Sequence, residues 1–307
     1  MVLPTSKHRV MPFLVAIFCL LVVATLLVIF GGNDEQKAAA PNLGKHAANA
    51  PKASAKTSPP SQYEFPYGGR ELLPDYRFVA LYGTPDSPKM GVLGEQPVAA
   101  AVQRAKDLAA QYQPYSTEKI WPAFEIIVTV ASASATNNND YSNELAVEKI
   151  KPWVDAAREA GIYVVLDLQP GRTDFLTQAK MYESLLREPH VGLALDPEWR
   201  LGPTQVHMKQ IGTVDVAEVN AVGAWLADVT KQNDLPQKMF LLHQFRLSMI
   251  TNRSLLDTSR KELAYVIQMD GNGGQATKLD TWRNITSGAP AGVYFGWKNF
   301  YDEDHPM

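Results

Sequence analysis

From Tyr63 onward, short β-rich apolar runs alternate with stretches of helical periodicity, and this alternation constrains the fold more than any other feature of the chain. The runs are RFVALYG (77–83), FEIIVTVAS (124–132), IYVVLDLQP (162–170), residues 190–196, KMFLLHQF (238–245), LAYVIQMDG (263–271) and AGVYFGWKNF (291–300). Between them, residues 96–112, 143–161, 174–187, 215–232 and 275–284 read as helices. Pro97 suits a first turn, Gly161 a C-terminal cap, and Asp215 with Glu218 a capping box. Strands that are apolar on both faces and separated by helices imply a parallel sheet covered by helices. Roughly 240 residues of this pattern match a (β/α)8 (TIM) barrel, a fold of about 250 residues. Seven strands are clear in the sequence; an eighth is expected within 246–260 or 284–290, or the barrel is incomplete. A doubly wound open sheet is the second choice, but LYGTPDSPKMG does not supply the glycine-rich turn it would want after the first strand.

The residues ahead of the barrel divide into three parts. Residues 10–30 carry no charge and follow Lys7, His8 and Arg9, so they are expected to form a transmembrane signal anchor. Residues 1–9 would then be cytoplasmic and everything after the anchor extracytoplasmic, or secreted if cleavage occurs near KAAAP (37–41). Residues 31–62, rich in Ala, Pro and Lys, bury too little apolar surface to offset ordering and are expected to be a disordered linker to the barrel at 63–307. Cys19, the only cysteine, lies in the apolar span, so the exported domain must be stable without disulfides.

In (β/α) barrels the chemistry collects at the C-terminal ends of the strands. Here the polar residues fall at those ends: Tyr82, Asp167, Asp196 with Glu198, His243 with Gln244, Gln268 with Asp270, and Trp297 with Lys298. In VGLALDPEWRL (191–201) the side-chain period of two puts Gly192, Ala194 and Asp196 on one face and Val191, Leu193 and Leu195 on the other, under the helices. If the extended run persists past Pro197, Glu198 joins Asp196, and like charges so near raise one pKa and keep that carboxyl protonated as a general acid. The competing reading pairs Glu198 with Arg200 or Arg172 and leaves it structural. His243 reads as a core or supporting histidine.

Asp196-Pro197-Glu198 resembles the final D-x-E of chitinase-like (family 18) glycoside hydrolases, VIQMDG (266–271) their sixth strand, and GVYFGWKNF (292–300) their last strand with its Trp under the reacting sugar. The resemblance implies Glu198 as general acid, Asp196 as its partner and Trp297 as the sugar platform. The chain departs from that pattern at Gly192 and Ala194, where acids are expected, and in the missing third-strand S-x-G-G. Asp167 or Asp270 with Glu198 would equally serve a conventional retaining or inverting reaction.

The expectation is a membrane-tethered glycoside hydrolase-like barrel acting on an envelope or extracellular polysaccharide. Its catalytic carboxyls would be Glu198, Asp196, Asp167 and Asp270, and its substrate-binding residues Tyr82, Trp199, Gln244, Gln268 and Trp297. The alternative is a catalytically inactive barrel that binds cell-wall glycan or an envelope partner. A net charge of −3 without a basic stripe gives no case for nucleic acid. No H-x-H or H-E-x-x-H pairing and no cysteine ligands occur, so neither metal nor cofactor is expected.

Overall fold

The computed structural model describes residues 63–85 and 87–305, all within one compact unit. The anchor expected at 10–30 and the linker at 31–62 lie outside the described residues, among which no helix is long and apolar enough to cross a membrane.

The strands are β1 (Tyr76–Gly83), β2 (Lys119–Ala131), β3 (Ser142–Glu144), β4 (Tyr163–Leu168), β5 (Val191–Leu195), β6 (Val214–Asp215), β7 (Lys238–Gln244), β8 (Ile250–Thr251), β9 (Leu263–Met269) and β10 (Val293–Trp297). The helices are α1 (Val98–Tyr112), α2 (Val147–Ala160), α3 (Phe175–Met181), α4 (Glu183–Leu186), α5 (Val216–Gln232) and α6 (Gln275–Thr286). The main sheet runs β1-β2-β4-β5-β7-β9-β10, all parallel, with β3 added antiparallel to β2.

This corrects the expectation of a closed (β/α)8 barrel: the sheet is a seven-stranded half-barrel. Among the described residues, no strand bridges the free edges of β1 and β10. Of the two regions proposed for an eighth strand, 246–260 holds only short 3-10 turns and β8, which pairs with β6 in a separate two-stranded ladder. The other, 284–290, holds the end of α6 and its exit loop. Neither has the run of apolar, β-branched residues that a buried parallel strand requires. The doubly wound alternative is not seen either, because the strands follow chain order without a reversal.

The sheet nevertheless curls. His243 on β7 reaches Glu125 on β2 across two intervening strands, and Tyr82 on β1 reaches Asp167 on β4 across one. Its convex face carries Phe124, Ile126, Val164, Leu166, Leu193, Leu195, Phe240 and Leu242 against α1, α2, α3 and α5 in one continuous core. The concave face carries a second cluster of Phe65, Tyr76, Trp121, Tyr163, Ala194, Leu241 and Val266. Val191, Leu193 and Leu195 lie under the helices and Ala194 lies inside, as the period of two requires.

Residues 63–73 floor the N-terminal end of the half-barrel. Phe65 packs edge-on against Trp121 at 5.2 Å, and Leu72 N donates to Gln237 Oε1 at 2.9 Å. Gly161 ends α2 in the left-handed conformation (φ 70°), as its cap position demands. Asp215 caps α5 by accepting from Ala217 N at 2.9 Å. Glu218 does not close the expected capping box; it accepts instead from Phe175 N and Arg200 Nε.

Candidate active site

Each strand of the half-barrel delivers one polar side chain to its C-terminal mouth or to the turn that follows. Tyr82 comes from β1, Glu125 from β2, Asp167 from β4, Asp196 from the residue after β5, His243 from β7, Asp270 from the residue after β9, and Lys298 from the residue after β10. All except Tyr82 and Lys298 are buried.

His243 organises the group. Its Nδ1 lies 2.7 Å from Asp270 Oδ2 and its Nε2 lies 2.6 Å from Glu125 Oε1, so the ring stands between two carboxyl groups. Burial opposes charge on the ring. Glu125, Asp270, Asp167 and Asp196 together outweigh it and hold the imidazole protonated well above its ordinary range. Lys298 Nζ stands 3.1 Å from Asp270 Oδ1 and 3.6 Å from the centroid of the Tyr82 ring, a cation–π contact that links the last strand to the first. Burial would depress this ammonium, but Asp270, Asp196, Glu125 and Asp167 raise it to about 12. Burial pushes the Asp270 carboxyl up, yet Lys298 and His243 beside it leave it below its ordinary value.

The remaining carboxyls have the opposite character. Asp167 accepts from Tyr82 Oη at 3.1 Å through Oδ2, while its Oδ1 is buried without a hydrogen bond and lies 3.8 Å from His243 Nε2. Burial pushes its pKa up to about 6. Asp196, 1% exposed, has a buried Oδ1 with no hydrogen-bond partner among the described residues, and burial lifts its pKa well above the carboxylate range. Glu198 is half-buried, and its carboxyl makes no hydrogen bond to the described residues. Burial and the nearby Asp270 raise it to about 7, against the pull of Lys298 and His243.

The chain stops being extended at Leu195 and turns through a 3-10 segment, Pro197–Trp199, so Glu198 reaches the group from a turn and not from a continued strand. Neither arginine proposed as its partner binds it. Arg200 pairs with Glu218 at 3.0 Å, and Arg172 stacks on Tyr141 at 4.5 Å while donating to Gln205 O. The insert at 202–213 folds back onto this turn, with Gly212 N donating to Glu198 O at 2.7 Å. A Cβ at Gly212 would stand 2.5 Å from both Glu198 O and Pro197 O, so only glycine allows that approach.

The mouth thus brings together Tyr82, Asp167, Asp196, Glu198 and Asp270 among the residues singled out from the sequence. Gln268 lies on the concave face beside Gly296, with its Oε1 buried and unpartnered. Three others lie elsewhere. Trp199 packs edge-on against His207 of the insert at 5.3 Å. Gln244 alternates to the other side of β7 and accepts from Arg253 Nη1 at 2.9 Å. Trp297, 40% exposed, packs on Trp282 of α6 at 5.7 Å, while its neighbour Lys298 turns inward. Sequence reasoning assigned no role to Glu125 or Lys298 and gave His243 a supporting one. A lone Glu inside the apolar run FEIIVTV was the available signal for Glu125.

The space above Gly192 is not open. Tyr163 Oη and Met239 O fill it, at 2.9 and 2.6 Å from where a Cβ would sit. The acid that the chitinase-like pattern expects at 192 therefore has no room here. Asp196, His243 and Asp270 bring ligand atoms within 4.8 Å of one another, the spacing of a metal site. Both nitrogens of His243 are engaged by carboxyl groups in this arrangement.

Fold and mouth define a half-barrel (β/α) protein with a strand-end acid–base cluster. The chain matches no family model and no curated protein.

Proposed function

We propose that the domain acts on a polysaccharide of the envelope or extracellular space as a glycoside hydrolase-like enzyme, tethered to the membrane by the segment at 10–30. The observation that carries this reading is Glu198: a half-buried carboxyl without a hydrogen-bond partner among the described residues, raised to about 7 on the rim of a cluster of buried carboxyls. A group so poised holds a proton at neutral pH and can give it up. In the proposed reaction Glu198 protonates the glycosidic oxygen as the C–O bond to the anomeric carbon breaks. Asp167, raised only to about 6 and so largely ionised at neutral pH, faces the positive charge that develops on the sugar, as nucleophile or as base toward water, while the protonated Asp196 lies beside it. The incoming water supplies hydroxide to the anomeric carbon. Its proton returns to Glu198 where Asp167 was the nucleophile, or goes to Asp167 where that carboxyl is the base, Glu198 then regaining its proton from solvent as the base releases one. Asp270 is tied to Lys298 and His243, which suits it to holding their geometry.

The test is Glu198→Gln in the full-length chain, assayed for reducing ends released from a panel of neutral, acidic and amino-sugar polysaccharides. Release should fall by about 10²–10⁴-fold, the usual contribution of a general acid. Unchanged release in the variant removes Glu198 from the reaction. Glycan retained by the wild-type chain without any release assigns the mouth to binding alone.

A further inference from the structure

A second buried ion pair lies behind the mouth. Lys278, in the first turn of α6, pairs with Asp304 near the end of the described chain, and both side chains are almost wholly buried. Asp304 also accepts from Gly273 N at 2.8 Å and from Phe300 N at 2.9 Å. Lys278 Nζ donates a further hydrogen bond to the backbone oxygen of Lys298 at 2.7 Å, and lies 5.0 Å from the Trp297 ring and 5.5 Å from that of Phe300. Among the described residues no strand pairs with the open edge of β10, so sheet hydrogen bonds hold the Lys298 segment from one side only. The pair supplies the missing restraint: one ammonium grips Lys298 at its carbonyl, and one carboxylate gathers Gly273 and Phe300 around it.

We propose that Lys278 and Asp304 are positioning residues that hold the Lys298 ammonium in the mouth, between the Asp270 carboxylate and the Tyr82 ring. Of the two cations that face Glu198, Lys298 exerts the larger pull. Tyr82 faces it from β1, Glu125 from β2, Asp167 from β4, Asp196 from after β5, and Asp270 from after β9. Glu198, raised first by burial, in turn faces Asp270 and Asp167, which raise its pKa further, and Lys298 and His243, which lower it; Glu198 itself raises that of Asp196. Loosening the latch withdraws Lys298 and leaves the carboxyls to repel one another, so Glu198 retains its proton to higher pH. The catalytic consequence rests on the function proposed above; the placement of Lys298 does not.

The experiment is a carbon-13 NMR titration of the Glu198 carboxyl in the full-length chain, with the signal assigned by its loss in Glu198→Gln. Lys298→Met should raise the midpoint by about one pH unit. Asp304→Asn and Lys278→Gln should raise it similarly, and Asp304→Asn combined with Lys298→Met should raise it no further than Lys298→Met alone. Two results overturn the proposal. One is a latch variant that keeps the wild-type midpoint while Lys298→Met moves it. The other is a midpoint that falls toward the ordinary glutamate value in both latch variants, which marks plain unfolding and a purely structural pair. No turnover is needed for this readout, so a wild-type chain inactive on every polysaccharide refutes the proposed function and leaves the latch to be decided by the titration.

Discussion

Along the concave face of the half-barrel, two layers lie four residues apart on the same strands: Phe78 below Tyr82, Trp121 below Glu125, Tyr163 below Asp167, Gly192 below Asp196 and Met239 below His243. The lower layer is a plug of aromatic rings. Trp121 lies 5.1 Å from Tyr76, 5.5 Å from Phe78 and 5.3 Å from Tyr163, and its Nε1 donates to Gly161 O at 2.8 Å. The upper layer holds Glu125, Asp167, Asp196, Glu198 and Asp270 against the two cations His243 and Lys298. Four residues of strand span about 13 Å. Within that distance the sheet passes from a layer whose buried side-chain polar atoms find partners to one that, among the described residues, leaves Asp167 Oδ1, Asp196 Oδ1 and Gln268 Oε1 without a hydrogen bond. The lower layer stabilises the fold, and the upper one carries a destabilising surplus of like charge of the kind that reactive sites contain.

Trp121→Ala tests the lower layer and should have the largest effect on stability. Removing a fully buried indole costs about 3–5 kcal/mol, read from the denaturant midpoint, and should leave the Glu198 titration unchanged. A shifted Glu198 midpoint in that variant would mean the layers are coupled.

The upper layer should show itself in the pH dependence of stability. Asp167, Asp196 and Glu198 all have folded pKa values above their ordinary ones, so the native state holds protons that the unfolded chain has released. Stability from these groups is full at about pH 4 and is lost as pH rises toward about 7. His243 has the same sign, because its raised value makes its contribution fade as pH climbs through the folded pKa. Asp270 works the other way, its contribution fading only as pH falls below the ordinary carboxylate range. Urea unfolding should therefore give a more stable domain at pH 5 than at pH 8. Asp196→Asn should flatten that slope and raise stability at pH 8 by about 1–3 kcal/mol, the order of the desolvation cost of an unsatisfied buried polar group. A steeper slope in the variant would reverse the assignment.

Gly212→Ala sharpens the comparison from the side of the turn. The added methyl must displace the Glu198 backbone and should cost about 1–3 kcal/mol, and any glycan release should fall with it. Trp297→Ala, on the outer side of β10 and partly exposed, should change stability by about 1 kcal/mol or less. A large loss of activity there would mean that the outer face takes part after all.

All seven main strands could be placed from the sequence, because a parallel strand covered by helices leaves a continuous apolar run and the helices between them a period of 3.6. Closure of the sheet could not be read. Whether seven strands meet edge to edge depends on the geometry of the whole sheet, which no local pattern encodes. The candidate site was partly legible for the same reason. Asp167, Asp196 and Asp270 follow from the side-chain period and the rule that chemistry gathers at strand ends, whereas Gln244 and Trp297 sit at those ends with their side chains on the other side. Glu125 and Lys298 took on meaning only when His243 and Asp270 were found beside them, contributed by strands more than a hundred residues from Glu125 and nearly thirty from Lys298.

By itself the sequence determined the order of strands and helices, the alternation of faces along β5, and the acidic character of the strand ends, because these depend on neighbours within a few residues. The tertiary structure alone decided that the sheet stays open, that a protonated His243 stands between Glu125 and Asp270, and that Lys298 closes the mouth over Tyr82. Each of those depends on the distance between groups far apart in the chain, and electrostatic energies in a buried, low-dielectric site follow that distance and not the sequence separation.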